Sequence, residues 1–263
     1  MTTDDGRNVF ASVLVGIDGS PEALEAARQL SVLAEGRLEL LAAYDIAAGL
    51  VGGTGLSVPS YYDEGQLRLQ GEKALEDVGR EVERLAGAGR RVVRGTAWDE
   101  LIREIERSQH TLVAVGSHGQ GRLRGIVLGS TATELIHKAP CSVLVARKAD
   151  THFPRRIVAG VDGSPESAAA YAVARHLSER FSAELWPVVA HGGKGVDKQL
   201  VAQIVDHHHE DLPDEPVPAL VAAAADADLI VVGSRGLHGL KALGSVSERV
   251  AHQARCSTLV VRG

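Results

Sequence analysis

The chain is poor in aromatic residues. Phe, Trp and Tyr make up 3% of its 263 residues. A hydrophobic core must therefore be built from Val, Leu, Ile and Ala, the composition of strands buried on both faces. The same scarcity removes the stacking platforms that hold single-stranded nucleic acid. Basic excess is lacking too. The net charge is −6, and phosphate-backbone binding needs a basic surface, so no nucleic-acid partner is expected. No apolar run is long enough to span a bilayer, so no membrane partner is expected either. The first six residues are polar and acidic and do not read as a signal peptide. Only two cysteines occur, Cys141 and Cys256. That usage fits a reducing compartment and a cytoplasmic location, and each reads as a small buried hydrophobe. Catalytic signatures are absent: there is no Gly-x-Ser-x-Gly elbow, no His-Glu-x-x-His and no Cys-x-x-Cys.

What the chain has is the same text twice. Val15-Gly16-Ile17-Asp18-Gly19-Ser20-Pro21-Glu22 returns as Ala159-Gly160-Val161-Asp162-Gly163-Ser164-Pro165-Glu166. Leu112-Val113-Ala114-Val115-Gly116-Ser117-His118-Gly119 returns as Leu229-Ile230-Val231-Val232-Gly233-Ser234-Arg235-Gly236. The Cys141-Ser142-Val143-Leu144-Val145 block returns at Cys256. Three blocks in one order, with a period too long for a solenoid, indicate a duplicated α/β unit. The expected domains are residues 1–148 and 149–263, joined by a polar linker at 148–156 that contains Pro154.

Within each copy, short apolar runs alternate with helical stripes. In the first copy, strands are expected at 12–18, 38–44, 91–95, 111–116 and 142–147, with a Gly-rich loop at 47–60. Alternation of this kind demands parallel strands with right-handed crossovers. Ser20 can cap the first helix, with Pro21 at its first position. The offset between copies falls from 144 at Asp18 and Asp162 to 117 at Gly116 and Gly233, so 27 residues are missing from the second. There the long helix and third strand are replaced by residues 191–214, leaving four good strands and whatever that segment supplies. His207, His208 and His209 lie in it. Consecutive helical residues point about 100° apart and cannot converge on one ion, so they read as solvated histidines at a helix end. Trp98 and Trp186 are assigned to the core.

The sharpest motif is Gly116-x2-Gly119-x9-Gly129-Ser130-Thr131, running from the end of a buried strand to the start of a helix. Glycines let a ligand approach the backbone. The helix start, with the hydroxyls of Ser130 and Thr131, suits an anion, and Arg122 and Arg124 add positive charge. No Gly-Lys-Ser/Thr follows, so this is no P-loop. Tight turning is the competing explanation for the glycines. Asp18 ends the first strand, where ligands of open α/β sheets bind. Such a carboxylate takes a ribose hydroxyl or a metal; as a plain helix cap it would take neither.

At these residues the chain resembles the universal stress protein family, over essentially its whole length, as a tandem two-domain member. The resemblance implies two doubly wound parallel five-stranded sheets in the order 3-2-1-4-5, the second abbreviated. It implies an adenine nucleotide in the crevice: ATP, ADP or AMP, or a cyclic nucleotide, with Mg²⁺ as a companion of ATP. Asp18 would face the ribose and Ala43 the adenine, while Gly116, His118, Gly119, Gly129, Ser130 and Thr131 would hold phosphates. It also implies pairing through the last strands, here within one chain; association into a homodimer stays open.

The second copy departs from the pattern. Its loop between Gly236 and Gly244 has seven residues instead of nine, Arg235 replaces His118 and Val246 replaces Thr131. The expected function is a nucleotide-binding regulator with its ligand in the first copy. A slow ATPase or adenylate-handling enzyme, and a binding-silent interaction module, are the alternatives.

Overall fold

The computed structural model describes residues 9–45, 64–119, 128–149, 152–190, 192, 196, 198–205, 209–234 and 246–263. The expectations placed on the 47–60 loop, on Arg122 and Arg124, on His207 and His208, and on Arg235 with the 237–243 loop lie outside these residues.

The first copy runs β1 (Ser12–Gly16), α1 (Pro21–Leu33), β2 (Arg37–Tyr44), α2 (Glu64–Glu81), β3 (Gly89–Arg94), α3 (Ala97–Ser108), β4 (Leu112–Gly116), α4 (Ser130–Lys138) and β5 (Ser142–Ala146). The second runs β6 (Arg156–Gly160), α5 (Pro165–Phe181), β7 (Glu184–Ala190), α6 (Lys198–Ile204), β8 (Glu210–Leu212), α7 (Pro216–Ala223), β9 (Leu229–Gly233), α8 (Val246–Gln253) and β10 (Ser257–Val261). All ten strands form one sheet in the order β3-β2-β1-β4-β5-β10-β9-β6-β7-β8. Each copy thus has the order 3-2-1-4-5, with neighbours parallel. The third strand of the second copy is kept after all, cut to the three residues of β8 beside Val188–Ala190. Its Glu210-Asp211 pair offers no apolar alternation to announce a strand, and charge of this kind blunts a sheet edge.

The strands are buried on both sides, and their apolar residues divide with a period of two. Val13, Val15, Leu112, Ala114 and Leu144 face the layer holding α1, α2 and α5. Leu14, Val113, Val115, Val143 and Val145 face the layer of α3, α4, α7 and α8. Burying each Leu or Val contributes roughly 1.5–3 kcal/mol. Both long first helices start the same way. Ser20 accepts from the N–H of Ala23 at 3.1 Å and Ser164 from that of Ser167 at 3.2 Å, each ahead of a proline at the first helical position. One tryptophan departs from expectation. Trp186 is 38% exposed; its indole N–H donates to Glu184 at 2.7 Å, and Arg156 lies over the ring. A polar handle and a stacked cation let it stand in water. His209 likewise sits just ahead of β8 rather than on a helix end, 3.5 Å from Asp211.

The copies meet where β5 and β10 pair antiparallel, with Leu144 opposite Leu259. The last strands therefore pair as their apolar character and unpaired edges imply. Polar contacts repeat across this seam with near two-fold symmetry. The Arg147 N–H donates to Ser257 Oγ and the Arg262 N–H to Ser142 Oγ, at 3.0 and 3.1 Å. Each arginine side chain then crosses over: Arg147 Nη2 donates to the carbonyl of Ala251 in α8, and Arg262 Nη2 to that of Ile136 in α4. Both acceptors lie in the last turn of a helix, where carbonyls lack intrahelical partners. On the other layer, Arg180 of α5 donates to the carbonyl of Leu33 at the end of α1 and pairs with Glu35.

Candidate functional site

A cavity of about 750 Å³ opens at the C-terminal ends of β1, β2 and β4. This is where strand order reverses, between β1 and β4, and where ligands of open α/β sheets bind. Its lining brings together Asp18, Ala43, Gly116, His118, Gly119, Gly129, Ser130 and Thr131. Arg122, also expected there, falls outside the described residues.

Asp18 follows β1, and Gly19 turns the chain with φ 79°, a conformation suited to glycine. Oδ1 of Asp18 accepts the N–H of Ser20 at 2.9 Å and its hydroxyl at 2.6 Å. The carboxylate thus holds the residue that caps α1, so the cap and the crevice share one group. Asp162 does the same with Ser164. This turn therefore recurs for a folding reason as well.

The glycines differ in what they permit. A side chain at Gly116 would meet the backbone of Glu22 and Ala23 within 2.9 Å, and Gly233 lies equally hard against Glu166. Packing of the strand on the first helix requires glycine at both. At Gly119 a methyl group would fall 2.6 Å from Oδ2 of Asp18, so glycine there lets the loop and the carboxylate face each other. Gly129 is the N-cap of α4 and supplies no side-chain cap; its own N–H donates to the Ser117 carbonyl at 2.8 Å. The opening N–H groups of α4, at Ser130 and Thr131, have no capping side chain and border the cavity. Such a terminus carries partial positive charge. Nε2 of His118 is buried without a hydrogen-bond partner among the described residues, while Nδ1 meets Ser117 Oγ at 3.1 Å. A buried polar atom of this kind wants a partner.

Ala43 contributes backbone. Ile17 N–H donates to the Leu41 carbonyl, so Leu41 faces β1, and backbone groups alternate sides along a strand. Ala43 is the next residue of β2 to face that side, beyond the end of β1. Its N–H and C=O share that side of the strand, and the residue lines the cavity.

The wall also holds Tyr44, Asp45, Gln70, Lys73, Asp77, Ala97 and Leu101, which the motif reading missed. Tyr44 and Asp45 end β2, so the rule that singled out Asp18 could have found them; the α2 residues carry no motif. Tyr44 donates to Glu64 at 3.1 Å, and Thr96 to Asp45 at 3.1 Å.

A second polar cluster lies at the other end of the strands. Glu39, Glu104 and His110 have ligand-type atoms within 4.8 Å of one another. Glu104 is nonetheless engaged: Arg91 donates at 2.6 Å, Arg107 reaches both oxygens and Ser108 adds a hydroxyl. His110 Nδ1 meets Ser12 Oγ at 3.0 Å. Burial pushes the His110 imidazole below its ordinary range, against the opposing pull of Glu39. The cluster is an internal ion-pair network, in which three arginines, counting Arg37 beside Glu39, take the place of a cation.

In the second copy Asp162 is retained, α8 opens on the exposed Val246 in the place of Thr131, ahead of Ser247, and the short α6 stands where the first copy has the 18-residue α2.

The family model for the universal stress protein family matches residues 10–147 and 190–262. Universal stress protein Rv2623 of Mycobacterium tuberculosis is 30% identical, the alignment covering 97% of each chain. Universal stress protein Rv2005c of the same species is 34% identical over 57% of this chain, which spans only 61% of that relative's length. The crystal structure of a universal stress protein from Archaeoglobus fulgidus superposes with a TM-score of 0.69 at 22% identity, covering 95% of this chain and 96% of that one, a likeness of fold. With both copies matched and one relative aligned nearly end to end, the chain belongs to the universal stress protein family.

Proposed function

We propose that the first copy binds an adenine nucleotide, ATP or its di-, mono- or cyclic relatives, and that the protein works as a nucleotide-responsive regulator rather than an enzyme. The observation that carries this is the meeting, across one crevice, of Asp18 with the uncapped start of α4. A ribose hydroxyl can donate to the carboxylate, while the helix N–H groups, His118 Nε2 and the Ser130 and Thr131 hydroxyls receive phosphate oxygens. The N–H and C=O of Ala43 match the acceptor and donor on the pairing edge of adenine. Among the described lining residues Asp18 is the carboxylate beside the phosphate end, and Ser20 already bonds one of its oxygens. Mg²⁺ accompanying ATP would thus be held chiefly by phosphates and water, as is usual for this ion.

Residues 1–148 are then the nucleotide-binding unit and 149–263 a unit that supplies the pairing edge. The altered start of α8 and the shortened layer around α6 support occupancy of the first copy alone. The two reduced, buried cysteines fit a cytoplasmic setting. Hydrolysis needs a positioned water and stabilisation of developing charge. Among the described lining residues, His118 is the base candidate near the phosphate end, and with Nδ1 at Ser117 its Nε2 is taken up by phosphate in this reading.

Calorimetric titration with ATP tests this. One site per chain is expected, weakened about tenfold or more by Asp18→Ala and kept by Asp162→Ala. Two equal sites, or a site abolished only by Asp162→Ala, would reverse the assignment of copies. Sustained phosphate release above about 1 per second, abolished by Asp18→Ala, would favour the enzyme.

A further inference from the structure

The second copy reaches the chain one residue ahead of the first copy's site. Helices α4 and α8 run in opposite senses beside the seam. Near one end His137 of α4 lies 3.1 Å from Glu248 of α8. At the other, His252 of α8 reaches the chain just ahead of α4, where its Nδ1 accepts the Leu128 N–H at 3.4 Å. Leu128 immediately precedes Gly129, the N-cap of α4. Its side chain is buried in the core that α4 shares with α8.

We propose that His252 is a positioning residue for the anion end of the first copy's site, so that the site is completed by the other half of the chain. Among the described residues no local side chain does this work. Gly129 has no side chain to fix the start of α4, and the residue before it relies on His252 for its N–H bond. One edge of the segment is held within the first copy, by Gly129 N–H to the Ser117 carbonyl; the other is held from across the seam. The bond requires Nδ1 as acceptor, which puts the imidazole proton on Nε2. The helix it steadies begins with Ser130 and Thr131, whose N–H groups must be aimed before an anion arrives. The second copy, altered at its own loop, thereby keeps a role in binding through a residue outside either nucleotide motif.

This inference rests on the reading of the first crevice as an anion site, and its test separates the two. Amide exchange at Leu128 is measured in the nucleotide-free full chain, and ATP affinity by calorimetry, for wild type, His252→Ala, His252→Asn and His252→Gln. The Asn carbonyl oxygen occupies nearly the place of Nδ1, whereas that of Gln lies one bond farther out. Expected are faster exchange at Leu128 and about three- to tenfold weaker ATP binding in the Ala variant. Asn should recover both to within about twofold, and Gln should recover neither. Unchanged Leu128 exchange in His252→Ala, or equal recovery by Gln and Asn, would overturn the brace. Unchanged ATP affinity with altered exchange would overturn its part in binding. Absence of ATP binding by wild type would instead sink the reading of the crevice, with the brace still decided by exchange at Leu128.

Discussion

Asp18 and Gly119 face each other so closely that a single methyl group on the glycine would stand 2.6 Å from the carboxylate oxygen Oδ2. The neighbouring oxygen is tied to Ser20, so the carboxylate cannot swing aside without loosening the cap of α1. The backbone of Gly119 is outside the left-handed region, and alanine is conformationally acceptable there. Gly119→Ala should therefore leave the fold intact and turn the carboxylate away from its present aim. ATP affinity is expected to fall about tenfold, with a circular dichroism spectrum like that of wild type. Wild-type affinity in Gly119→Ala would show that the orientation of Asp18 does not matter to binding.

The crossed arginines of the seam make a second prediction. Arg262→Ala leaves the Ile136 carbonyl without its donor, and Arg147→Ala does the same to Ala251. Each should cost about 1.5–3 kcal/mol in urea denaturation, the range for hydrogen bonds to charged groups. Arg68→Ala, which removes an exposed i,i+4 pair with Glu72, should stay within about 0.5 kcal/mol. Near-equal losses at Arg147 and Arg262 would bear out the two-fold repetition; an effect no larger than that of Arg68→Ala would show that these crossings are ornamental.

His110 predicts how stability varies with acid. Its side chain is fully enclosed, and burial lowers its folded-state pKa below the ordinary 6.5. As pH falls through 6.5, the unfolded chain takes up a proton before the folded one. Stability should therefore decline from about pH 6.5 down to the depressed folded pKa, then level off as far as this group is concerned. His110→Gln should flatten that segment of the stability curve. Identical slopes between pH 5 and 7 in wild type and variant would remove His110 as the cause.

The thiols should be inert. Burial pushes Cys141 to about 12 and Cys256 to about 11, outweighing the pull of Arg262 and Arg147 beside them. At pH 8 on the order of one Cys141 in ten thousand is thiolate, the reactive form. Iodoacetamide should label both cysteines in urea and leave the native protein nearly unmarked over the same interval. Rapid native labelling of either would contradict their enclosure.

Much of this was legible in the chain. The repeated blocks located both copies, the apolar runs marked strands buried on two faces, and the matching ends at Arg147 and Arg262 pointed to the seam. Asp18, Gly116, Gly119, Gly129, Ser130 and Thr131 line the crevice and carry local signals in strand ends and glycine spacing, whereas Ala43 and His118 were expected there from the family resemblance alone. What stayed hidden depended on distant partners or on missing pattern. Three residues beginning Glu210-Asp211 are a strand only because β7 offers its edge. Trp186 occupies the position that Glu39 has in the first copy, pairing with Val158 as Glu39 pairs with Leu14. Where the first copy sets Glu104 and His110 around that place, the second has Val221 and Ala227. A tryptophan read as core thus stands where the first copy has its internal ion-pair network. His252 bears no motif, and its contact with Leu128 spans 124 positions.

The antiparallel joint of β5 with β10 also bears on how such a chain can change over generations. In an assembly of two separate identical chains, every substitution would appear on both sides of the joint, and the halves could meet only at sufficient concentration. Joined through residues 148–156, the halves meet at an effective concentration that dilution cannot lower. A substitution now alters one half alone. Val246 can replace a hydroxyl, and α2 can shrink to the likes of α6, without any matching change at Thr131 or in α2 itself. The two halves are thereby free to diverge.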